Sequence, residues 1–338
     1  MSAGVAAAGT PGRGDAALGL GVAFAIFVVL IAAAPFVAYP VFVMEVLCFG
    51  LFACAFNLLI GYAGLLSFGH ALFFGWAAYL AAYVEKNGTV SVPLWFGWLT
   101  IPLPPHEPEL AVLVGTLTAA LLGIVAGVLA IRRQGIYFAM ITLALAQMMY
   151  FFALRARFTG GEDGIQAVPR GKLLNVFDLA NEMMMYGFVA VIVLAAFLFI
   201  YRIINSPFGE VLKAIRENEP RAVSLGYRTD RYKLVAFLLS ATLAGLAGSL
   251  KALVFHLASL TDVHWTMSGE VVLMTLLGGL GTVFGPMAGA FVIVAMQNYF
   301  ATFGQWVLVI QGAIFVVCVL VFRRGIIGEL GRALRVRL

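Results

Sequence analysis

Ten apolar runs, most of them close to 20 residues long, follow one another along this chain at 19–39, 41–60, 66–84, 110–131, 135–152, 184–203, 234–254, 268–280, 283–300 and 305–322. At a rise of about 1.5 Å per residue, a helix of about 20 residues spans the roughly 30 Å hydrocarbon core of a bilayer. Of the 338 residues 63% are hydrophobic and 11% charged, against roughly 25% charged in an ordinary globular domain. A soluble domain of this length needs a polar shell that these residues cannot supply. The expected fold class is therefore an all-α polytopic membrane protein with about ten transmembrane helices. The run at 268–280 is too short to cross a flat bilayer, so it is either a half-helix or a helix broken at Gly278 and Gly279.

Charge placement checks the count, because Lys and Arg collect in alternate short loops on the cytoplasmic side. Arg132 and Arg133 lie in one loop, the segment 203–233 holds Lys213, Arg216, Arg221, Arg228, Arg231 and Lys233, and the tail holds Arg323, Arg324, Arg332, Arg335 and Arg337. The intervening loop 85–109 has Glu85, Glu107 and Glu109 against Lys86, and 255–267 has Asp262 with no Lys or Arg. The pattern holds if 268–280 crosses, and it then puts both termini in the cytoplasm. Residues 1–18 read as an N-terminal cytoplasmic tail, 19–322 as a single transmembrane domain with a cytoplasmic loop at 205–233, and 323–338 as a basic cytoplasmic tail. The first run exceeds the usual 7 to 15-residue core of a signal peptide and is expected to stay attached, although Ala32 to Ala34 would suit cleavage.

Several chemistries are not supported by the residues present. The 21 Lys and Arg against 16 Asp and Glu sit in particular loops and make no broad basic face for nucleic acid. Cys48, Cys54 and Cys318 lie in apolar runs without metal-ligand spacing and read as small core hydrophobes. No G-x-x-x-x-G-K-[ST] phosphate loop, H-E-x-x-H metal motif or G-x-S-x-G elbow occurs, so no catalytic, cofactor or metal residue is assigned. Any energy source acts in trans.

Two glycine motifs interrupt the apolar runs. Gly61-Tyr62-Ala63-Gly64 leads through Ser67, Gly69 and His70 into the third run, and Gly278-Gly279-Leu280-Gly281 leads through Gly285 into the ninth. Exposed backbone and ionisable groups persist at membrane depth where protein or a water-filled cavity satisfies them, so the seven glycines of these motifs with Ser67 and His70 are candidates for lining or moving a translocation path. Ser67 and His70 share a helical face if the helix has begun by Ser67. They then either meet a polar solute, or Ser67 caps the helix start while His70 ties to a neighbouring helix. Glu45 suits either an interfacial position or a path, and Gln147, Gln297, Asn298 and Gln311 either line a path or bridge helices. Small residues four apart, including Gly123 with Gly127 and Ala241, Gly245 and Ser249, call for close helix contacts.

The loop 205–233 has a helical pattern, with Val211, Leu212 and Ile215 on one face and Glu210, Lys213 and Glu217 directed away. Asn218 or Glu219 caps a second short helix with Pro220 at its start and Gly226 at its end. The pair forms either a docking knob for a partner protein or an interfacial anchor, and its mixed charges favour docking. In 159–171, Glu162 and Asp163 beside Arg170 and Lys172 suit a gate or docking loop on the outer side, or a self-paired Ω-loop.

These segments together, with 233–253 and LLGGLGTVFGPMAGAF at 276–291, resemble the LivM-type permeases of branched-chain amino acid ABC importers over nearly the whole chain after the first run. The resemblance implies a passive translocation subunit of the bacterial inner membrane and no enzyme activity of its own. It implies four kinds of partner: a LivH-type sister permease, two ABC ATPases holding ATP and Mg, a periplasmic substrate-binding protein, and the bilayer itself. It assigns ATPase coupling to the segment containing Gly209, Glu210, Lys213, Arg216, Glu217, Asn218, Arg221 and Gly226. Urea or short amides are the alternative cargo, and a stand-alone proton-coupled transporter is the alternative class.

Overall fold

A computed structural model describes residues 13–94, 97–102, 106–133, 135–173, 176–304, 306–321 and 325–333. Residues 1–12 and the tail arginines Arg323, Arg324, Arg335 and Arg337, with the side chains of Cys318 and Arg332, lie outside those described. Each of the ten apolar runs falls on a helix. These are α1 (Arg13–Val37), α2 (Pro40–Asn57), α3 (His70–Asn87), α4 (Pro108–Ala130), α5 (Ile136–Arg155) and α6 (Glu182–Ile204). The short pair α7 (Pro207–Glu217) and α8 (Glu219–Ser224) precedes the longest helix, α9 (Thr229–Phe255). The chain continues through α10 (Leu260–Val263), α11 (Trp265–Gly278), α12 (Gly285–Tyr299), α13 (Trp306–Val321) and α14 (Gly325–Ala333). Helices α4, α5, α6 and α9, and α2 with its extension to Ala63, are each long and apolar enough to cross a membrane unaided.

The short eighth run is α11. Its 14 residues rise about 21 Å, and it stops at Gly278 because Gly279, with φ 123°, leaves the helical region and Gly281 is left-handed at φ 74°. The chain turns there and returns as α12, whose first turn carries Pro286.

Helices α2, α3 and α9 form the centre of the bundle. Phe52, Phe56, Phe73, Phe74 and Phe237 are wholly enclosed there, with Phe52 and Phe74 stacked at 4.5 Å between centroids. Helices α4, α5 and α6 leave large apolar side chains such as Leu121, Met140 and Val191 outward, the expected dress of a lipid-facing helix. Apolar burial gives little drive to associate in lipid, so close contact rests on the small residues: Gly123 lies against Ala241, and Gly245 against Ala119 and Ala77.

The turns at 58–64 and 279–284 and the helix α7 lie together at one end of the bundle, joined by bonds of Asn57, Tyr62 and Arg216, while the last turns of α3 and the end of α9 meet the segment around Gln166, Val168 and Gly171 at the other. The second end includes an antiparallel hairpin, β1 (Thr89–Leu94) with β2 (Gly97–Pro102), where sequence reading expects a plain loop. It also has β3 (Ile165–Gln166), which pairs with β6 (Leu257–Ala258), and β4 (Lys172–Leu173), which pairs with β5 (Phe177–Asp178).

Candidate functional site

The two glycine motifs, more than 200 residues apart in sequence, meet at one end of the bundle. Helix α2 does not end at Asn57 but widens into a π-helical segment, Leu58–Ala63, closed by Gly64 in the left-handed region at φ 72°. A π turn leaves backbone groups out of register and is a recurrent feature of functional sites. Asn57, 2% exposed, uses both ends of its amide on the other motif: Nδ2 donates to the carbonyl of Thr282 at 2.9 Å and Oδ1 accepts from the Gly281 amide at 3.0 Å. The Tyr62 hydroxyl adds a third link by donating to the Gly281 carbonyl at 2.9 Å. Gly61 must lack a side chain here, since a Cβ would stand 2.9 Å from the Gly281 nitrogen. The turn between α11 and α12 is thus stitched to the end of α2.

Helix α7 closes over this junction. Ser206 caps it by accepting from Gly209 at 3.4 Å, Pro207 opens it, and Leu212 and Ile215 are buried on its inner face. Arg216, the next residue, donates from its guanidinium to the Gly61 carbonyl. Its aliphatic stem runs along Gly64, where a Cβ would lie 3.1 Å from Cγ. One turn earlier, Lys213 pairs with Glu210 at 2.8 Å and lies 5.9 Å above the Tyr62 ring. Asn218 caps α8 by accepting from Arg221 at 3.1 Å, and Gly226 follows with φ 89°. Glu217 and Arg221 are exposed. One side of the knob therefore holds the two glycine motifs while the other stays open.

At the start of α3 the residues are packed rather than open. The helix begins at His70, so Ser67 does not share its face; the Ser67 hydroxyl accepts from the Gly69 amide at 3.2 Å. The α3 entry is pinned from other helices, Thr142 accepting from the Phe68 amide at 3.2 Å and Ser268 from the Ala71 amide at 2.9 Å. His70 is fully buried, edge-on to Phe56, Phe73 and Phe237. Its Nε2 lies 2.8 Å from Ser240 Oγ, and that hydroxyl donates to the Ala55 carbonyl at 2.5 Å. The serine proton being used, His70 is the donor and its Nε2 carries a proton. His70 is a tie between α3 and α9. Ser240→Ala removes that acceptor and is expected to cost about 1 kcal/mol, measured as a small loss of thermal stability in detergent without loss of transport.

The opposite end of the bundle carries most of the remaining polar groups. Asn298 donates to Glu45 at 2.9 Å and Gln297 to Glu270 at 3.1 Å, so both amides bridge α12 to neighbouring helices. Lys251 pairs with Asp262. Arg170 does not meet Glu162 or Asp163. Its guanidinium donates to the carbonyls of Leu253 at 3.3 Å and Val254 at 2.7 Å, satisfying the free end of α9, and burial lowers its pKa against the opposing pull of Glu182 and Tyr39. Glu162, Asp163 and Lys172 are exposed. Glu85 accepts from the Gly171 amide at 3.0 Å, so the loop is clamped down on α3 as well.

Asn57, Lys251 and Glu270 are the functional-looking polar residues that sequence reading leaves without partners. Lys251 does carry a signal, as the lone charge inside an otherwise apolar run. A cavity of about 1070 Å³ between α1, α2 and α12 is lined by side chains such as Phe27, Val43, Phe284 and Met287; it offers a polar solute almost no hydrogen-bond partner. Among the described residues no cluster of three or more His, Cys, Asp or Glu is placed to hold a metal ion.

The described residues form a polytopic helical bundle in which α7 grips the turn that follows α2. The chain belongs to the family described as the permease component of the branched-chain amino acid transport system, whose model matches residues 41–319, and it is a multi-pass membrane protein. It is 25% identical over 283 residues to the high-affinity branched-chain amino acid transport system permease protein LivM of Escherichia coli K12, covering 77% of this chain and 63% of that one. It is 26% identical over 286 residues to a probable LivM of Methanocaldococcus jannaschii, covering 75% and 79%. The ribose import permease protein RbsC of Bacillus subtilis is 27% identical over 197 residues, covering 53% and 58%. The chain thus spans less than two thirds of the length of the Escherichia coli relative. No solved structure matches.

Proposed function

We propose that this chain is the translocation subunit of an ATP-driven importer for branched-chain amino acids, set in the bacterial inner membrane with both termini in the cytoplasm. It works beside a LivH-type sister permease, takes its solute from a periplasmic binding protein, and is driven by two ABC ATPases that hold ATP and Mg. The family match supports the class. The observation that carries the mechanism is the grip of Arg216 on the Gly61 carbonyl, because it joins the α7–α8 knob to the first glycine motif, which Asn57 and Tyr62 bond to the second.

The knob's open face, with Glu217 and Arg221, is the surface the ATPases would hold. When they close on ATP, α7 is displaced, and the turns bonded through Asn57, Tyr62 and Arg216 are carried with it. The helices that leave those turns, α3 and α12, then swing to change which end of the path is open. The ribose permease among the relatives indicates that this architecture suits more than one small polar solute. Branched-chain amino acids are the reading that the family and the LivM relatives favour.

Arg216→Glu puts a carboxylate against a carbonyl oxygen and takes the α7–α8 pair, with three basic and three acidic residues, from balanced to net negative. With the partner subunits assembled in proteoliposomes, substrate-stimulated ATPase activity is expected to fall at least tenfold, and Glu217→Lys is expected to weaken it less. Full stimulation in both variants would remove α7 as the coupling element.

A further inference from the structure

Helix α9 runs for 27 residues without a proline, a length of about 40 Å, and toward each end holds a buried lysine fastened to a short helix, α8 on the knob and α10, which packs on Gly75 of α3. At the knob end Lys233, 4% exposed, reaches Glu219 of α8 at 2.5 Å. At the far end Lys251, 8% exposed, reaches both carboxylate oxygens of Asp262 in α10, at 2.8 and 2.7 Å. Asp262 also accepts from the Ser259 amide at 3.1 Å and the Ser259 hydroxyl at 3.0 Å. The same end takes the two Arg170 bonds and the β3–β6 pairing, so the 159–171 loop is attached there too.

A lysine inside a helical bundle is costly, and a buried ion pair adds little stability over well-packed apolar residues. Two such pairs at opposite ends of one unbroken helix are better explained by what they connect. Between them the helix has little freedom to bend or slide, because Gly248 lies directly on the Phe74 backbone of α3, and Ser249 donates to the Gly245 carbonyl at 2.9 Å and to that of Ala77 in α3 at 3.4 Å.

We infer that α9 is a stiff strut that makes the α7–α8 knob and the cap formed by α10 and the 159–171 loop move as one body. Displacement of the knob is then delivered to the far mouth of the bundle without passing through the glycine junction. The inference rests on the importer reading, with the ATPases supplying the displacement.

The test uses the complete transporter with spin labels at Ser224 in α8 and Thr261 in α10, both exposed. Electron–electron distances are measured nucleotide-free and in the ATP-trapped state. The distance is expected to stay within about 2 Å between states, which is less than one helical turn of about 5.4 Å. A change of more than about one turn overturns the strut. Stimulation of ATP hydrolysis by the loaded binding protein, checked on the same labelled complex, tests the importer reading separately: its absence sinks that reading, whatever the distance shows.

Lys251→Met and Asp262→Asn are each expected to lower stimulated uptake at least tenfold with basal ATP hydrolysis retained. The exchange Lys251→Asp with Asp262→Lys is expected to recover part of it. Undiminished uptake in Lys251→Met contradicts the strut. If that variant does not fold, the distances in the otherwise unaltered complex decide.

Discussion

Asn57→Leu is expected to produce one of the two largest losses of any single substitution in this chain. The leucine fits the apolar surroundings of α2, but it removes both partners of a backbone pair, the Thr282 carbonyl at 2.9 Å and the Gly281 amide at 3.0 Å. The Thr282 carbonyl and the Gly281 amide are half-buried, and each left without a partner costs about 1–2 kcal/mol. A total of about 3 kcal/mol lowers the apparent melting temperature in detergent by on the order of 5–10 °C. Transport is expected to fall further than stability, since the turn between α11 and α12 keeps only the Tyr62 bond and the touch of Arg216. Asn57→Asp keeps an acceptor for Gly281 but sets an oxygen against the Thr282 carbonyl, so it should fall between the wild type and Asn57→Leu. Thermal unfolding and ATP-driven uptake on the same preparations check the order; an Asn57→Leu protein with both intact would show that the glycine motifs do not depend on this amide.

Gly248→Ala is the second large effect, and its cause is steric. A Cβ at Gly248 overlaps the Phe74 carbonyl oxygen and stands 2.7 Å from its carbon and 3.0 Å from its Cα. These are backbone atoms of a buried helix, so no side chain can swing aside, and α3 and α9 must separate. Overpacking of this kind costs about 3 kcal/mol, and close approach of small residues is the main source of helix association in lipid. The expected result is a large drop in the yield of folded protein on size exclusion and a melting temperature lowered by on the order of 5–10 °C. Gly226→Ala makes the contrast: a Cβ there meets nothing within 4 Å, so only the strain of its positive φ is felt, about 1 kcal/mol.

The ten helices were legible because a bilayer demands the same thing of every span, a long apolar run, and charge marks the gaps between them. The short run at 268–280 was readable as a half-helix or as a helix broken at Gly278 and Gly279, because glycine is the residue that tolerates the backbone found there. The pairing of α7 with α8 was readable from the apolar face of Val211, Leu212 and Ile215 and from Asn218, Pro220 and Gly226, which are local signals. What depends on contacts between distant segments was not readable. Asn57 appears in the sequence as one amide on a span, and its partners lie 224 and 225 residues away; nothing local in the two glycine motifs says that they touch. Arg170 stands beside acidic residues in sequence, yet its guanidinium goes to carbonyls at the end of α9, because a helix terminus with free acceptors attracts a cation. The hairpin of β1 and β2 escaped notice in a loop rich in proline.

ATP-driven uptake in proteoliposomes tests the central claim most directly. Vesicles holding this chain with its sister permease and ATPases, ATP on the ATPase side and the loaded binding protein on the other, are expected to accumulate labelled leucine. Vesicles holding this chain alone are expected to accumulate none under an imposed proton gradient. Accumulation by the chain alone under that gradient, independent of ATP, would contradict the account.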